Sequence, residues 1–339
     1  MADKSGIAWT DATWNPVTGC TKVSQGCKHC YAERDWKRLT AAPHTVYAGR
    51  AFNDVQVHPE RLDQPLRWRR PRRIFVNSMS DLFHEDVPTD FVDRVLAVMM
   101  LSPRHVFQVL TKRPERMRDY LADPKLYKRV LPDVNLTRLI FPKLRLDEVP
   151  VSNPTTAFAR HIWWGVSVED QEAADTRIPV LLETPVAVRW VSMEPLLAPV
   201  SLGYSFRETA LSGGRLAWVV VGGESGPRAR LLDLRWVRDI RDACRSYEIP
   251  FFMKQLGARY RDGGFLHTPA HRAGAAMWEW PEDLRVQEYP TTLWAERPMP
   301  AFGSVGRMSE AISRADEDVG SALSNARMLP CPQGRRARE

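Results

Sequence analysis

The sequence predicts an α/β protein organised as a complete or partial TIM-like (β/α) barrel. Three observations lead there: short apolar runs recur with helix-sized gaps between them, amphipathic segments fill those gaps, and each run ends in polar or charged residues. In chain order the runs are RIFVNS at 73–78, VFQVLTK at 106–112, IWWGVS at 162–167, VRWVSME at 188–194, AWVVVGGE at 217–224 and PFFMKQ at 250–255. They are rich in β-branched and aromatic residues and read as parallel strands buried on both faces. A first strand just before Cys20 brings the total to about seven β/α units, which favours a barrel over a doubly wound sheet.

The intervening segments fit helices. Thr89 to Ser102 places Phe91, Val92, Val95, Leu96 and Met99 on one side, and Leu234 to Tyr247 does the same with Leu234, Val237, Ile240 and Cys244. The barrel is expected over 1–260. Within it, a proline-punctuated insertion at about 118–160 is expected as a helical excursion or lid outside the core. The strand pattern stops after Leu256, so 261–301 reads as a loop-rich extension and 302–339 as a basic, poorly ordered tail. No internal repeat is evident.

Composition sets the class. With 339 residues, 44% of them hydrophobic, the chain can bury a substantial core. Its longest apolar run, LAWVVV from Leu216 to Val221, is far short of the roughly 20 residues that span a bilayer, and MADKSGIAW lacks an apolar leader region. A cytoplasmic protein with no membrane partner is expected. Five cysteines, three of them crowded together, argue for reduced thiols over a disulfide framework. The net charge of +7, with Arg-rich runs at Arg67 to Arg73 and in the last six residues, permits an anionic partner, although such runs are also what a solvated face looks like.

The polar groups that close the strands are the first candidates for a site. Ser78 and Asp81 follow the second strand, Lys112 and Arg113 the third, Ser167 and Glu169 the fourth and Glu194 the fifth. Gly222, Gly223, Glu224 and Ser225 follow the sixth, with Lys254 and Gln255 after the seventh. In a parallel barrel these ends share one rim, where binding sites are built. A buried ion pair across the rim is the competing reading for Glu194, Lys112 and Arg113.

The stretch GCTKVSQGCKHCYAE, Gly19 to Glu33, holds Cys20, Cys27 and Cys30. The C-x2-C spacing lets two sulfurs from one turn reach one metal, and Cys20 lies close enough to complete a tripod. Structural zinc needs a fourth ligand, whereas His29 lies inside the turn, pointing away from its neighbours' metal, and Cys244 and Cys331 stand apart. Three thiolates without a fourth suit a [4Fe-4S] cluster with one iron open.

In these residues the sequence resembles the radical S-adenosylmethionine (SAM) superfamily, whose members carry a cluster loop after the first strand of a partial (β/α) barrel, often spaced C-x3-C-x2-C with an aromatic residue after the last cysteine. Cys20, Cys27, Cys30 and Tyr31 match in order, with a first gap of six residues instead of three. From Trp9 to Leu256 the segments WNPVTGCTKVSQGCKHCYAE, SDLFHEDVP, LTKRPERM, GVSVED, SMEPLL and VVGGESGPRAR resemble a narrower group. That group is a phage-associated, radical SAM-like three-cysteine-motif family of unknown function, distantly similar to spore photoproduct lyase-type radical SAM proteins. The resemblance implies a barrel of the radical SAM type that holds a [4Fe-4S] cluster on the three cysteines, binds SAM and takes an electron from a donor. It implies generation of a 5′-deoxyadenosyl radical. The basic balance suggests a nucleic acid or nucleotide as substrate.

In that setting Tyr31, Ser78, Lys112, Arg113, Ser167, Glu194, Gly222, Gly223, Glu224 and Ser225 become candidates for binding SAM. The glycines would let backbone approach a ligand closely, and Glu224 would accept a hydrogen bond from an ammonium or ribose. Two other functions stay open: a zinc-stabilised nucleic-acid-binding protein without catalysis, and a barrel hydrolase using Glu194 and Glu224 as paired carboxylates.

Overall fold

The structure, a computed structural model, describes residues 5–140, 159–203 and 215–290. Its centre is a curled half-barrel of seven parallel strands: β1 (Ala12–Trp14), β4 (Arg73–Val76), β5 (Val106–Thr111), β6 (Ile162–Ser167), β7 (Val188–Met193), β8 (Leu216–Gly222) and β10 (Phe251–Gln255), paired in that order. All six of the expected runs are strands. The first strand lies further from Cys20 than expected, because β1 is followed by a separate two-residue strand, β2 (Val17–Thr18), paired with β3 (Gln56–Val57). In this sheet β1 and β10 are edges and do not pair, so the barrel is partial.

Strand residues alternate between two environments, as a pleated sheet requires. Outward side chains such as Ile74, Phe107, Trp164, Val191, Val219 and Phe251 join the large core shared with the helices. The first helix, α1 (Tyr31–Thr40), follows the last cysteine of the loop. The short α2 (Gln64–Arg67) precedes β4, and α3 (Thr89–Met100) covers the sheet with the five apolar positions expected of it. After these come α4 (Pro114–Ala122), α5 (Leu126–Ile140), α6 (Gln171–Glu183) and α7 (Leu234–Ser246), the last burying Leu234, Val237, Ile240 and Cys244. Inward side chains form a second, aromatic cluster of Trp9, Phe75, Trp163, Trp190, Trp218 and Phe252. Their rings meet edge to face: Trp9 to Phe75 at 4.8 Å, Trp9 to Trp190 at 5.3 Å and Trp163 to Trp218 at 5.6 Å between centroids.

Two expectations need correction. The segment from 118 onward is no excursion outside the core over its described part, because Leu126, Val130 and Val134 of α5 are buried in the main cluster. Residues 141–158, the rest of the expected insertion, and the expected tail lie outside the described residues. Nor does strand structure end at Leu256: β11 (Tyr260–Asp262) pairs with β12 (Phe265–His267) and with β9 (Leu232–Asp233) in a small second sheet. Beyond it, Val286 to Glu288 run along the open edge of β10, with Met253 N–H donating to Val286 O at 2.8 Å and Glu288 N–H to Phe251 O at 3.0 Å. Tyr289 then stacks on Trp218 and lies beneath Arg73, plugging the end where the strands begin.

Arg73 opens β4 and pairs with Asp11 at 2.7 Å, so the Arg67 to Arg73 run lies at the strands' N-terminal end, opposite the rim. No helix among the described residues is long and apolar enough to cross a membrane.

The indole layer imposes a size limit on its neighbours. A Cβ at Gly165 would sit 2.5 Å from the Trp190 ring. Gly165→Ala should therefore destabilise the fold by about 1–3 kcal/mol through overpacking. Gly6→Ala, where nothing lies within 4 Å, should leave stability unchanged. Denaturant unfolding of the two variants against the parent measures both outcomes.

Candidate functional site

At the C-terminal ends of the strands lies a cavity of about 360 Å³. Trp9 and Phe75 form its floor, and the inward positions above them are polar: Ser167 on β6, Ser192 on β7 with Glu194 just beyond it, and Lys254 on β10. The change from indole to polar side chains along one face makes the upper half of the half-barrel a binding space and the lower half a core. Cys20, Cys27 and Cys30 line the same cavity, all three with free thiols and all half-buried. Among the described residues no group of three or more His, Cys, Asp or Glu side chains is arranged to hold a metal ion.

Burial, together with the nearby Asp81 charge, pushes the Cys20 thiol up to about 12 against the opposing pull of Arg113, whose Nη1 lies 3.9 Å from the sulfur. Burial raises Cys30 as well, and Cys27 acts electrostatically on both.

The cysteine loop crosses the mouth and is tied down on the far side. Gly26 N–H donates to Glu169 Oε1 at 3.3 Å, just past β6. Arg230 donates to Gln25 O at 2.9 Å, and His29 Nδ1 meets Glu224 Oε2 at 3.0 Å, just past β8. Arg34, one turn into α1, donates to Ser225 O at 3.0 Å. The carboxylates that anchor the loop are themselves held. Glu169, 1% exposed, pairs with Arg177 at 2.9 Å and Lys112 at 3.4 Å. Burial alone would raise its pKa, but the Lys112 and Arg177 charges outweigh this and hold it below the usual carboxylate range. Glu224 accepts from the Arg230 backbone N–H at 2.8 Å and from its Nε at 3.0 Å, and its pKa also ends lowered, because these bonds overcome the effect of burial.

The structure brings nine of the ten rim candidates to this cavity: Tyr31, Ser78, Lys112, Arg113, Ser167, Glu194, Gly223, Glu224 and Ser225 line it, and Gly222 does not. Several are already engaged. Tyr31 Oη donates to Ser78 O at 2.6 Å, and Lys112 Nζ donates to Ser167 Oγ. Arg113 bridges Asp81 at 3.2 Å, Glu85 at 2.8 Å and Thr21 at 2.8 Å. The room left by the two glycines is taken up by protein: a Cβ on Gly223 would lie 2.2 Å from Leu256 O, and one on Gly222 would lie 2.8 Å from Glu194 Oε1. Glu194 and Glu224 face one cavity, yet each is paired with its own cation, Lys254 at 2.9 Å and Arg230 respectively.

Sequence reasoning missed Asn77, Ser192, Trp9, Arg34 and Arg230. Asn77 and Ser192 were findable, since each occupies an inward register position at a strand end. For Arg34 and Arg230 no local signal exists, because their partners are supplied by the fold.

A partial parallel β/α barrel with a three-thiol loop over a cavity at the strands' C-terminal ends defines the class of this protein. The chain belongs to the family described as protein of unknown function (DUF5131), whose model matches residues 4–310. A search of curated proteins finds no match. Similar solved structures include two variants of spore photoproduct lyase, both 13% identical. One match covers 70% of this chain and 62% of that one at a TM-score of 0.36, and the other 66% and 58% at 0.34. A third is spore photoproduct lyase complexed with dinucleoside spore photoproduct, 12% identical, covering 67% and 58% at 0.34. The chain thus spans less than two thirds of the length of each, and at these values the likeness says nothing of what it binds.

Removing the Glu169 charge leaves Lys112 and Arg177 unpaired beside the loop. Glu169→Gln should cost roughly 3–5 kcal/mol of stability at neutral pH. The Glu169 pKa is lowered on folding, so its contribution is complete above the ordinary value of 4.5 and is lost as pH falls through the folded value. The gap between wild type and variant should therefore close as the pH of urea titrations is taken below 4.5. A gap constant with pH would assign Glu169 a packing role only.

Proposed function

We propose that this protein is a radical SAM enzyme that holds a [4Fe-4S] cluster on Cys20, Cys27 and Cys30 and binds SAM in the cavity those cysteines face. The observation that carries the reading is the placement of three free thiols, with no disulfide between them, on one anchored loop at the ligand-bearing end of a parallel half-barrel. Thiolate is the donor that iron–sulfur clusters take, and the loop supplies three. Closure of the three sulfurs around a single cluster is part of the proposal. When bound, the cluster supplies the single electron that reductive cleavage of SAM consumes, delivered from outside by an electron donor.

The chain's own residues bind, orient and exclude. The cavity's volume of about 360 Å³ falls within the range of small-molecule sites. Trp9 and Phe75 close it from below, which keeps water from entering along the barrel axis. Glu194 fits an ammonium or hydroxyl donor of the cofactor. Its Oε1 is paired with Lys254 Nζ at 2.9 Å and has lone-pair capacity for a further donor, while Oε2 accepts from Ser192 Oγ at 3.1 Å and Trp9 Nε1 at 3.4 Å. Glu224, fully engaged by Arg230 and His29, holds the loop in place instead of contacting the cofactor. The expected substrate class, a nucleic acid or nucleotide, rests on the net charge of +7. The Arg67 to Arg73 run, at the opposite end of the strands, is no part of that support.

After anaerobic reconstitution the protein should be brown, absorb broadly near 400 nm and carry about four irons and four sulfides per chain. Cys27→Ala should lose most of that iron, and Cys244→Ala, which removes a thiol buried behind α7, should keep it. Full iron content in Cys27→Ala, or stoichiometric zinc in place of iron, would defeat the reading.

A further inference from the structure

Asn77 stands immediately beyond β4, lines the cavity and is 2% exposed. Its backbone is left-handed, with φ of 60°, and its N–H donates to Trp14 O at 2.7 Å. Its side-chain Oδ1 accepts the Val17 N–H at 3.2 Å. These two bonds fix the amide with its oxygen turned toward β2, and the other end, Nδ2, is buried without a partner. An aspartate would tolerate the same backbone and accept the same Val17 N–H. What asparagine adds at this position is the Nδ2 donor alone, and a buried donor left unmade carries its full desolvation cost. Across the curled sheet, Glu194 Oε1 lies 2.9 Å from Lys254 Nζ, and a carboxylate oxygen with two lone pairs has room for a second donor. Of the cations that line the cavity, Lys112 lies 3.4 Å from Glu169, Arg113 3.2 Å from Asp81 and Lys254 2.9 Å from Glu194, while Arg34, 3.8 Å from Asp35, keeps a buried Nε without a hydrogen bond. An acceptor entering beside the cysteine loop therefore meets two buried donors without partners, Arg34 Nε and the neutral Asn77 Nδ2.

We propose that Asn77 Nδ2 donates to a carboxylate oxygen at the α-amino-acid end of the ligand, while Glu194 Oε1 accepts from a donor of the same ligand. Asn77 is then a positioning and specificity residue: it selects for a ligand that presents an acceptor next to the cysteine loop. The inference rests on the reading of this cavity as a SAM site.

The test uses two redox-inert probes, S-adenosylhomocysteine, which keeps the amino-acid end, and 5′-methylthioadenosine, which lacks it. Affinities are measured by calorimetry on the reconstituted wild type, Asn77→Asp and Asn77→Ser, with thermal unfolding and iron content as controls. Asn77→Asp keeps the bond to Val17 and replaces the donor by a charge, so S-adenosylhomocysteine should bind about tenfold or more weakly. Asn77→Ser should weaken it by a smaller factor, and 5′-methylthioadenosine should bind all three proteins alike. If Asn77→Asp does not fold, the Asn77→Ser comparison decides. Unchanged S-adenosylhomocysteine affinity, or equal loss for both probes, would overturn the role of Asn77 while leaving the cofactor site standing. A folded wild type that binds neither probe would overturn the cofactor reading, and this inference with it.

Discussion

The arrangement depends on how the cysteine loop is anchored across the mouth of the half-barrel. A short loop following the first strand of an open sheet has no reason to cross to the far strands. Here it does so because two buried carboxylates, Glu169 and Glu224, reach it from β6 and β8, through Gly26 N–H and the His29 ring. Isolating such carboxylates from water would be costly unless each were compensated. Arg177 and Lys112 compensate Glu169, and Arg230 compensates Glu224 while also gripping Gln25 O. The loop thus closes a charge network instead of lying on a surface, and the three thiols inherit their position from it. Breaking one partner leaves uncompensated charge under the loop, so structure and site fail together.

Below that network the half-barrel solves a packing problem. A seven-stranded sheet that does not close exposes an inner face with no opposing wall. Large indoles fill the space that smaller aliphatic residues would leave as voids, and Trp9, arriving from the N-terminal segment, plugs the centre against Phe75, Trp190 and Trp218. Trp190 leans into the place a side chain would occupy at 165, which is why that strand position is glycine. The segment Val286 to Glu288 along β10 and the Tyr289 ring complete the closure at the bottom edge. Only the upper layer is left open, and its side chains are the polar ones.

Much of this was legible in the sequence because it follows from periodicity. The strands, α3 and α7 are buried segments whose composition is dictated locally, and polar residues after each strand converge because parallel strands share one end. The site was legible as a set of positions more than as a set of roles. Lys112, Arg113, Glu224, Asp81 and Glu169 were all expected near the rim, but who pairs with whom was not, and Arg230 comes from a loop whose approach no local pattern encodes. The glycines of VVGGES illustrate the same limit: close backbone approach was the right reason, and Leu256 is the group approached at Gly223. The helix α5 was misplaced because proline punctuation resembles a surface loop, whereas Pro132 lies within the helix and its buried valines face α3. Asn77 escaped notice because a single amide after an apolar run looks like an ordinary strand end until its two bonds are seen.

The charge pattern of the cavity constrains what can occupy it. Four cations line its wall, and each has a carboxylate within 4 Å. Matched pairs hold a surface rigid but present little net field, so they neither attract nor grip a phosphate as an unpaired arginine cluster does. A phosphate drawing on Lys112, Arg113 or Lys254 would have to displace the carboxylate paired with it, leaving that carboxylate buried beside the new anion. A ligand that carries an acceptor and a donor side by side meets no such penalty, and it can satisfy the buried donor of Asn77 while donating toward Glu194. The zwitterionic amino-acid end of the proposed cofactor therefore suits the interior of the half-barrel. The phosphates of any nucleotide substrate would have to be held outside it, at the rim or beyond, with only the reacting portion entering toward the cysteine loop.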